Sequence, residues 1–356
     1  MNKSLFKTLI KLAVVALCLT VVIRSIELDS VTSVLANLDW RYLIPPILMI
    51  WLEPYLSAKK WHVLMAHHGH IPPVGQLTRV LYTSNFLSLL SPTAIGADAL
   101  RVWMLRQRGY RVFHTVSSML MDRVMALCVL LGLVLAGWVS ARAVLPEGVI
   151  RWVIPLVCLG VLFGVVLFYL PPVVKRYRCI KTALAMWYRR DDHALRRWPR
   201  LHALGLKTGM TLDALFDAFQ DYRDRPAALL QVIFWNLCLQ GIRILQIHFL
   251  FLALRHPVPL IQEIAFVPLV IILVMLPISY FGIGIKEGAF VFLFTRVGVP
   301  SETCLAVSIL TYPVILTGLI PGLFFFLSDR DTLSVKAIRK TMNPDASEAA
   351  VERPSS

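Results

Sequence analysis

The sequence has 356 residues, 57% of them hydrophobic and only 16% charged, which is too apolar for a soluble domain of this size. It carries 36 Lys and Arg against 21 Asp and Glu, a net charge of +15. In so apolar a chain this excess belongs to loops on the inner face of a membrane and not to nucleic-acid binding.

Several apolar runs reach the ~20 residues that cross a bilayer, and they are continuous where a β-barrel strand would alternate. The fold class is therefore all-α, a polytopic integral membrane protein with about six full spans and two broken or re-entrant segments. The first span is expected over Leu5 to Ile23, uncleaved, with Lys3 and Lys7 keeping the N-terminus inside. The second runs from about Tyr42 to Met65 and contains Glu53-Pro54; Lys59 and Lys60 mark its inner end.

Leu77 to Ile95 follows, broken at Ser91-Pro92 and Gly96, and beyond it stand Asp98, Arg101, Arg106 and Arg108. Basic residues on both flanks require an even number of crossings. The apolar part, Val80 to Leu90, is also too short to span at ~1.5 Å per residue. Both arguments give a segment that enters and turns back, with a kinked full span as the alternative.

The third span is expected over Val116 to Val139, with Asp122-Arg123 near its inner end, and the fourth over Val153 to Leu170. The region 173–225 is strongly basic and reads as a cytoplasmic loop that meets anionic lipid headgroups. Within it, Gly209 to Asp224 has the spacing of an amphipathic helix. In the fifth span, Ala228 to Leu254, residues Asn236, Gln240, Arg243 and Gln246 recur three or four apart and share one helical face.

Ile264 to Pro277 is apolar, breaks at Gly282 and Gly284, and restarts with Lys286-Glu287. This echoes the earlier break, and paired broken segments in two halves suggest an inverted repeat with a site between them. The last span is Cys304 to Leu327. The membrane domain is thus 1–328, and 329–356 reads as a disordered cytoplasmic tail.

Charges retained at membrane depth are functional candidates. Arg101 can pair with Asp98 or hold a phosphate, and both readings stand; Glu53 is more simply a partner for one of the arginines. The candidate headgroup-binding set is Asp98, Arg101, Asp122, Arg123, Arg243, Lys286 and Glu287, and the structural breaks are Pro92, Gly96, Pro277, Gly282 and Gly284. His62, His67, His68 and His70 lie together without Cys or carboxylate, so no metal is expected. The six cysteines read as small core residues. Nucleotide and hydrolase motifs are missing, so neither a cofactor nor catalysis is expected.

Two runs carry a family resemblance: Pro92-x3-Gly96-x-Asp98-x2-Arg101 followed by Asp122-Arg123, and Pro277-x-Ser279-x2-Gly282-x-Gly284-x2-Glu287 followed by Gly298. Over about Leu5 to Leu327 the chain resembles the flippase-like family of the lysylphosphatidylglycerol synthase transmembrane region. Ala97 departs from the pattern, which usually has a second glycine there. The resemblance implies a cytoplasmic (inner) membrane protein that moves or helps to move a phospholipid or glycolipid between leaflets; the basic residues near each end put both termini inside. It does not carry over the soluble aminoacyl-transfer activity. The alternatives are a membrane-embedded lipid-modifying transferase or its accessory subunit, and a small-solute or ion transporter. The oligomeric state is not readable.

Overall fold

The computed structural model describes residues 33–66, 71–88, 95–141, 149–169, 222, 225–275 and 282–328. Outside them lie the first predicted span, His67 to His70, the breaks at Pro92 and Pro277, most of the basic loop with its amphipathic helix, and the tail.

The described elements are all helical: α1 (Ile44–Met65), α2 (Val74–Ser88), α3 (Ile95–Gln107), α4 (Val112–Ala141), α5 (Val149–Tyr169), α6 (Pro226–Ala253), α7 (Leu260–Met275), α8 (Ile285–Phe294) and α9 (Ser301–Ser328). Local chemistry sets several ends. Prolines occupy the first turns of α1 and α6, where the missing N–H costs nothing. Gly109 (φ 88°) follows α3 and Gly298 (φ 86°) follows α8, each in the left-handed conformation that closes a helix. Of the spans read from the sequence, three are described helices both long and apolar enough to cross a membrane: Val112–Trp138, Pro226–Ala253 and Ser301–Ser328.

Two helical hairpins stand out. Arg101 of α3 bonds Ser84 and Asn85 near the end of α2, and Tyr110 beyond α3 bonds Gln76 at the start of α2. The two arms therefore run antiparallel. They are 15 and 13 residues long, about 22 and 20 Å, short of the ~30 Å apolar core of a bilayer. The second hairpin is α7–α8. The Phe266 ring at the start of α7 meets Phe294 at the end of α8 (5.4 Å), and Gly282 before α8 lies against Val274 at the end of α7.

The two halves correspond. Helices α1 to α4 end at Met65, Ser88, Gln107 and Ala141; α6 to α9 end at Ala253, Met275, Phe294 and Ser328, a step of 188, 187, 187 and 187 residues. Exchanging α1–α4 with α6–α9 also leaves the set of packed helix pairs unchanged; α5, against α4, has no counterpart among the described residues. Helix α1 packs on α6, α4 on α7, and α9 on α2. The pairs Lys60–Asn236 and Glu53–Arg243 show that α1 and α6 run antiparallel. Each half has its own apolar core. One is built on Leu64, Leu77, Leu105 and Met121, the other on Phe251, Phe266, Phe290 and Phe294.

One predicted break is corrected. Gly96 lies inside the first turn of α3 and not in the break, because the helix already begins at Ile95. Gly282 (φ 73°) and Gly284 (φ 84°) do form the turn before α8, a backbone that a β-carbon would strain.

Candidate functional site

Where α1 crosses α6, the chain encloses a cavity of about 790 Å³. Helices α1, α2, α3, α4, α6 and α9 line it, with Met275 from the end of α7. One wall is charged: Glu53, Lys60, Asp98, Arg101, Asp122, Arg123 and Arg243. The other is apolar and includes Ile50, Leu81, Leu127, Ile315 and Leu319. Retained charge at this depth needs partners, and each charge has one.

The Glu53 carboxylate lies before Pro54 on α1. It is 3.4 Å from the Arg243 guanidinium and accepts from Gln246 at 3.2 Å. Lys60, two turns on, is almost fully buried. Its ammonium donates to Asn236 at 3.0 Å and lies 2.8 Å from Asp122. Asp98 sits in the first turn of α3, where a negative charge complements the helix dipole. It accepts from Arg101 at 3.2 Å and from Arg123. Arg101 also donates to Ser84 at 3.0 Å and Asn85 at 2.8 Å, which ties the hairpin arms together.

The predicted face of α6 is real but serves two purposes. Asn236, Arg243 and Gln246 face α1 as partners of Lys60 and Glu53, whereas the Gln240 side-chain oxygen is buried at the cavity with no partner among the described residues. The cavity wall carries four cations and three carboxylates, one positive charge in excess. The Arg123 side chain is 64% exposed and Arg243 39%, so the charged wall is open to the cavity mouth.

The structure brings together five of the seven predicted site residues: Asp98, Arg101, Asp122, Arg123 and Arg243. Lys286 and Glu287 do not line this cavity. They form a separate closed cluster in the second half. Glu287 accepts from the Gly284 N–H (2.6 Å), Tyr312 (2.7 Å) and Ser308 (3.3 Å). Lys286 donates to the Ser308 carbonyl and to Thr311, and its ammonium lies 3.4 Å from the centre of the Tyr312 ring. The two sites nonetheless correspond. Arg123 donates to Asp98 and Tyr312 to Glu287, and both pairs are 25 residues apart in the chain.

The sequence does not mark Ser84, Asn85 and Lys60 as members of the site, nor the pair of the part-buried His248 with the buried Glu263 (3.1 Å). Lys60 was legible only as an inner-end charge. Its position on α1, seven residues after Glu53, was the available signal. His62, from the predicted histidine group, bonds the Pro72 carbonyl at 2.9 Å, which is a loop contact. No group of metal-ligating side chains occurs among the described residues.

A family model described as the lysylphosphatidylglycerol synthase TM region matches residues 8–322. The chain belongs to that family. It is a multi-pass membrane protein, and its matched region contains both hairpins and the whole charged cavity. No curated protein and no solved structure matches the chain.

Proposed function

We propose that this member of the family moves, or helps to move, a polar phospholipid or glycolipid between the leaflets of the cytoplasmic membrane. The observation that carries the reading is the two-sided cavity. Its charged wall suits a headgroup, and its apolar wall, with Ile315 and Leu319 of α9, suits the glycerol and proximal acyl chains. A volume of about 790 Å³ lies within the usual range of ligand sites.

The ion pairs explain how such a cavity can be empty at one moment and filled at another. An unpaired cation at this depth would cost several kcal/mol. A phosphodiester entering beside Arg101 or Arg243 takes over hydrogen bonds now made to Asp98, Asn85 and Glu53. The guanidinium fork suits two phosphate oxygens at once. The one excess positive charge matches a singly charged phosphodiester.

The hairpins act as the gates of an inverted pair. Each is too short to span, and each restarts with a carboxylate gripped from the long helix that follows it. In this state the cavity reaches the α2–α3 hairpin, while the equivalent space at α7–α8 is held shut by Glu287, Lys286 and Tyr312. Exchange of the open and closed halves would carry the headgroup across. On this reading the α2–α3 side faces the cytoplasm, as the flanking basic residues require, and the chain itself performs no bond chemistry.

The test is leaflet exchange of a labelled anionic phospholipid in vesicles that contain the purified protein. Arg101→Ala with Arg243→Ala, inserted at the wild-type level, abolishes most of the protein-dependent rate. An unchanged rate in the double variant sinks the proposal.

A further inference from the structure

We infer that Glu263 and His248 form a proton-binding site coupled to movement of the α7–α8 hairpin. Glu263 lies in the first turn of α7 and is fully buried, in a helix whose one other polar residue is the neutral Gln262. One of its oxygens is 3.1 Å from Nδ1 of His248 on α6; the other is buried with no partner among the described residues. It plays no part in the cavity described above.

The comparison with Glu287 is decisive. That carboxylate is equally buried, yet it accepts three hydrogen bonds and has an ammonium 3.9 Å away. This is how the chain accommodates an ionised acid. Glu263 has one neighbour that can offer at most one N–H. An ionised Glu263 beside a neutral imidazole would be a fully buried charge held by one N–H and the first turn of α7, against three hydrogen bonds and an ammonium at Glu287. The pair therefore holds one proton. The site favours the neutral arrangement over an ion pair, because the carboxylate would be fully desolvated and the part-buried imidazolium only partly solvated. The proton rests on Glu263, as an O–H donated to His248 Nδ1.

The surrounding charges do not alter this. Glu53 and Lys60 on α1 and Lys286 on α8 are engaged with Arg243, Asp122 and Glu287. On α4, Asp122 and Arg123 belong to the cavity and His114 to the opposite end of the helix. Asp39, Arg41, Arg255, His256, Arg296 and Glu302 sit at helix ends, and none forms an ion pair with Glu263 or His248. The location is mechanically apt, since Glu263 joins the base of the second hairpin to α6. At the same step in the first half stands Gln76, bonded to Tyr110 at 3.2 Å, a pair without an acid. One hairpin base can thus titrate as an acid and the other cannot.

When α7 swings from α6, water reaches the pair. Glu263 releases its proton to a water molecule, which leaves a hydrated carboxylate and a neutral imidazole. Reclosure requires a proton to be taken back. If the two events face opposite sides of the membrane, a pH gradient drives the cycle.

Proton binding is tested without any transport assay, by infrared spectroscopy of the full chain in lipid nanodiscs over a range of pH. The wild type shows the carbonyl band of a buried carboxylic acid, which converts to carboxylate as pH rises; Glu263→Gln, nearly isosteric, lacks it. His248→Gln keeps the acid band and shifts its frequency. A Glu263 band absent at every pH overturns the inference. So does a band that stays protonated wherever the protein remains folded, since that is a fixed structural bond. The coupling step rests on the transport reading. In vesicles, a pH gradient changes the wild-type exchange rate several-fold, and the ratio with and without gradient falls to one in Glu263→Gln. A variant that keeps the gradient dependence removes the coupling. A wild type that moves no lipid removes the transport reading, and the infrared result still decides the proton site.

Discussion

Tyr312 donates a 2.7 Å hydrogen bond to Glu287, and the 25-residue separation of this pair is also that of Arg123 and Asp98. The same lock is therefore built twice, once from a guanidinium that opens to the cavity and once from a phenol in a closed cluster. Removing one buried donor from a charged acceptor costs about 2 kcal/mol, more than a tenfold change in an open–closed equilibrium. Tyr312→Phe should thus open the second hairpin. Ile283→Cys, placed in the hairpin turn, will react with a membrane-impermeant maleimide at least several-fold faster when combined with Tyr312→Phe. Equal labelling would mean that the hydroxyl does not hold the gate.

The corresponding interfaces of the two halves are both closed by a glycine. A β-carbon on Gly137 of α4 would fall 2.7 Å from that of Ala265 on α7. One on Gly322 of α9 would fall 2.8 Å from that of Phe86 on α2 and would also strike the Tyr82 carbonyl. Small residues allow close helix approach where the lipid offers no hydrophobic drive. Gly322→Leu and Gly137→Leu should each lower stability by about 3 kcal/mol or more, because backbone must move and not only side chains. Thermal unfolding in detergent will show both variants shifted well below Gly160→Leu on α5, where nothing lies within 4 Å.

Which parts of this were legible follows from range. The face of Asn236, Gln240, Arg243 and Gln246 could be read because it depends on spacing within one helix. The first short hairpin could be anticipated from the limited apolar length of Val80 to Leu90, and the turn of the second from Gly282 and Gly284. What the face touches could not, since Glu53 and Arg243 are 190 residues apart and only the packing of α1 on α6 joins them. The echo between the halves is visible at the breaks, yet the motifs group Lys286 and Glu287 with Asp98 and Arg101 although they occupy the opposite half. Motif similarity marks equivalence under the exchange, and equivalence does not mean proximity. Glu263 was missed because an acid in the first turn of an apolar helix reads as an ordinary helix start.

The α2–α3 hairpin places Gly75 and Gln107 at its two open ends, both exposed. A segment that enters and returns puts them on one side of the membrane; a kinked full span puts them on opposite sides. Gly75→Cys and Gln107→Cys will therefore both be labelled by impermeant reagent from the same face in sealed vesicles of fixed orientation. Labelling from opposite faces would remove the re-entrant topology and with it the parity of everything that follows.

Lys60 and Asp122 give the most direct measure of how the cavity wall is held. The Lys60 side chain is 7% exposed and that of Asp122 30%, so the two partners do not lose equally when the pair is broken. Asp122→Asn takes the counter-charge from a buried ammonium and leaves it only neutral acceptors, at a cost of about 3 kcal/mol. Lys60→Met removes the buried charge and leaves Asp122, which water at the cavity can reach, so its cost should be about 1 kcal/mol. Combining the two changes removes both charges. The double variant should then be more stable than Asp122→Asn alone, with a favourable coupling of about 2 kcal/mol in a double-mutant cycle read by denaturant unfolding. Additive losses would show that Asp122 and Lys60 act independently and that the wall is held by the Asn236 bond. The cycle also separates structure from function. If headgroup contact depends on Arg101 and Arg243, the double variant will retain protein-dependent lipid exchange although it has lost an ion pair from the same cavity.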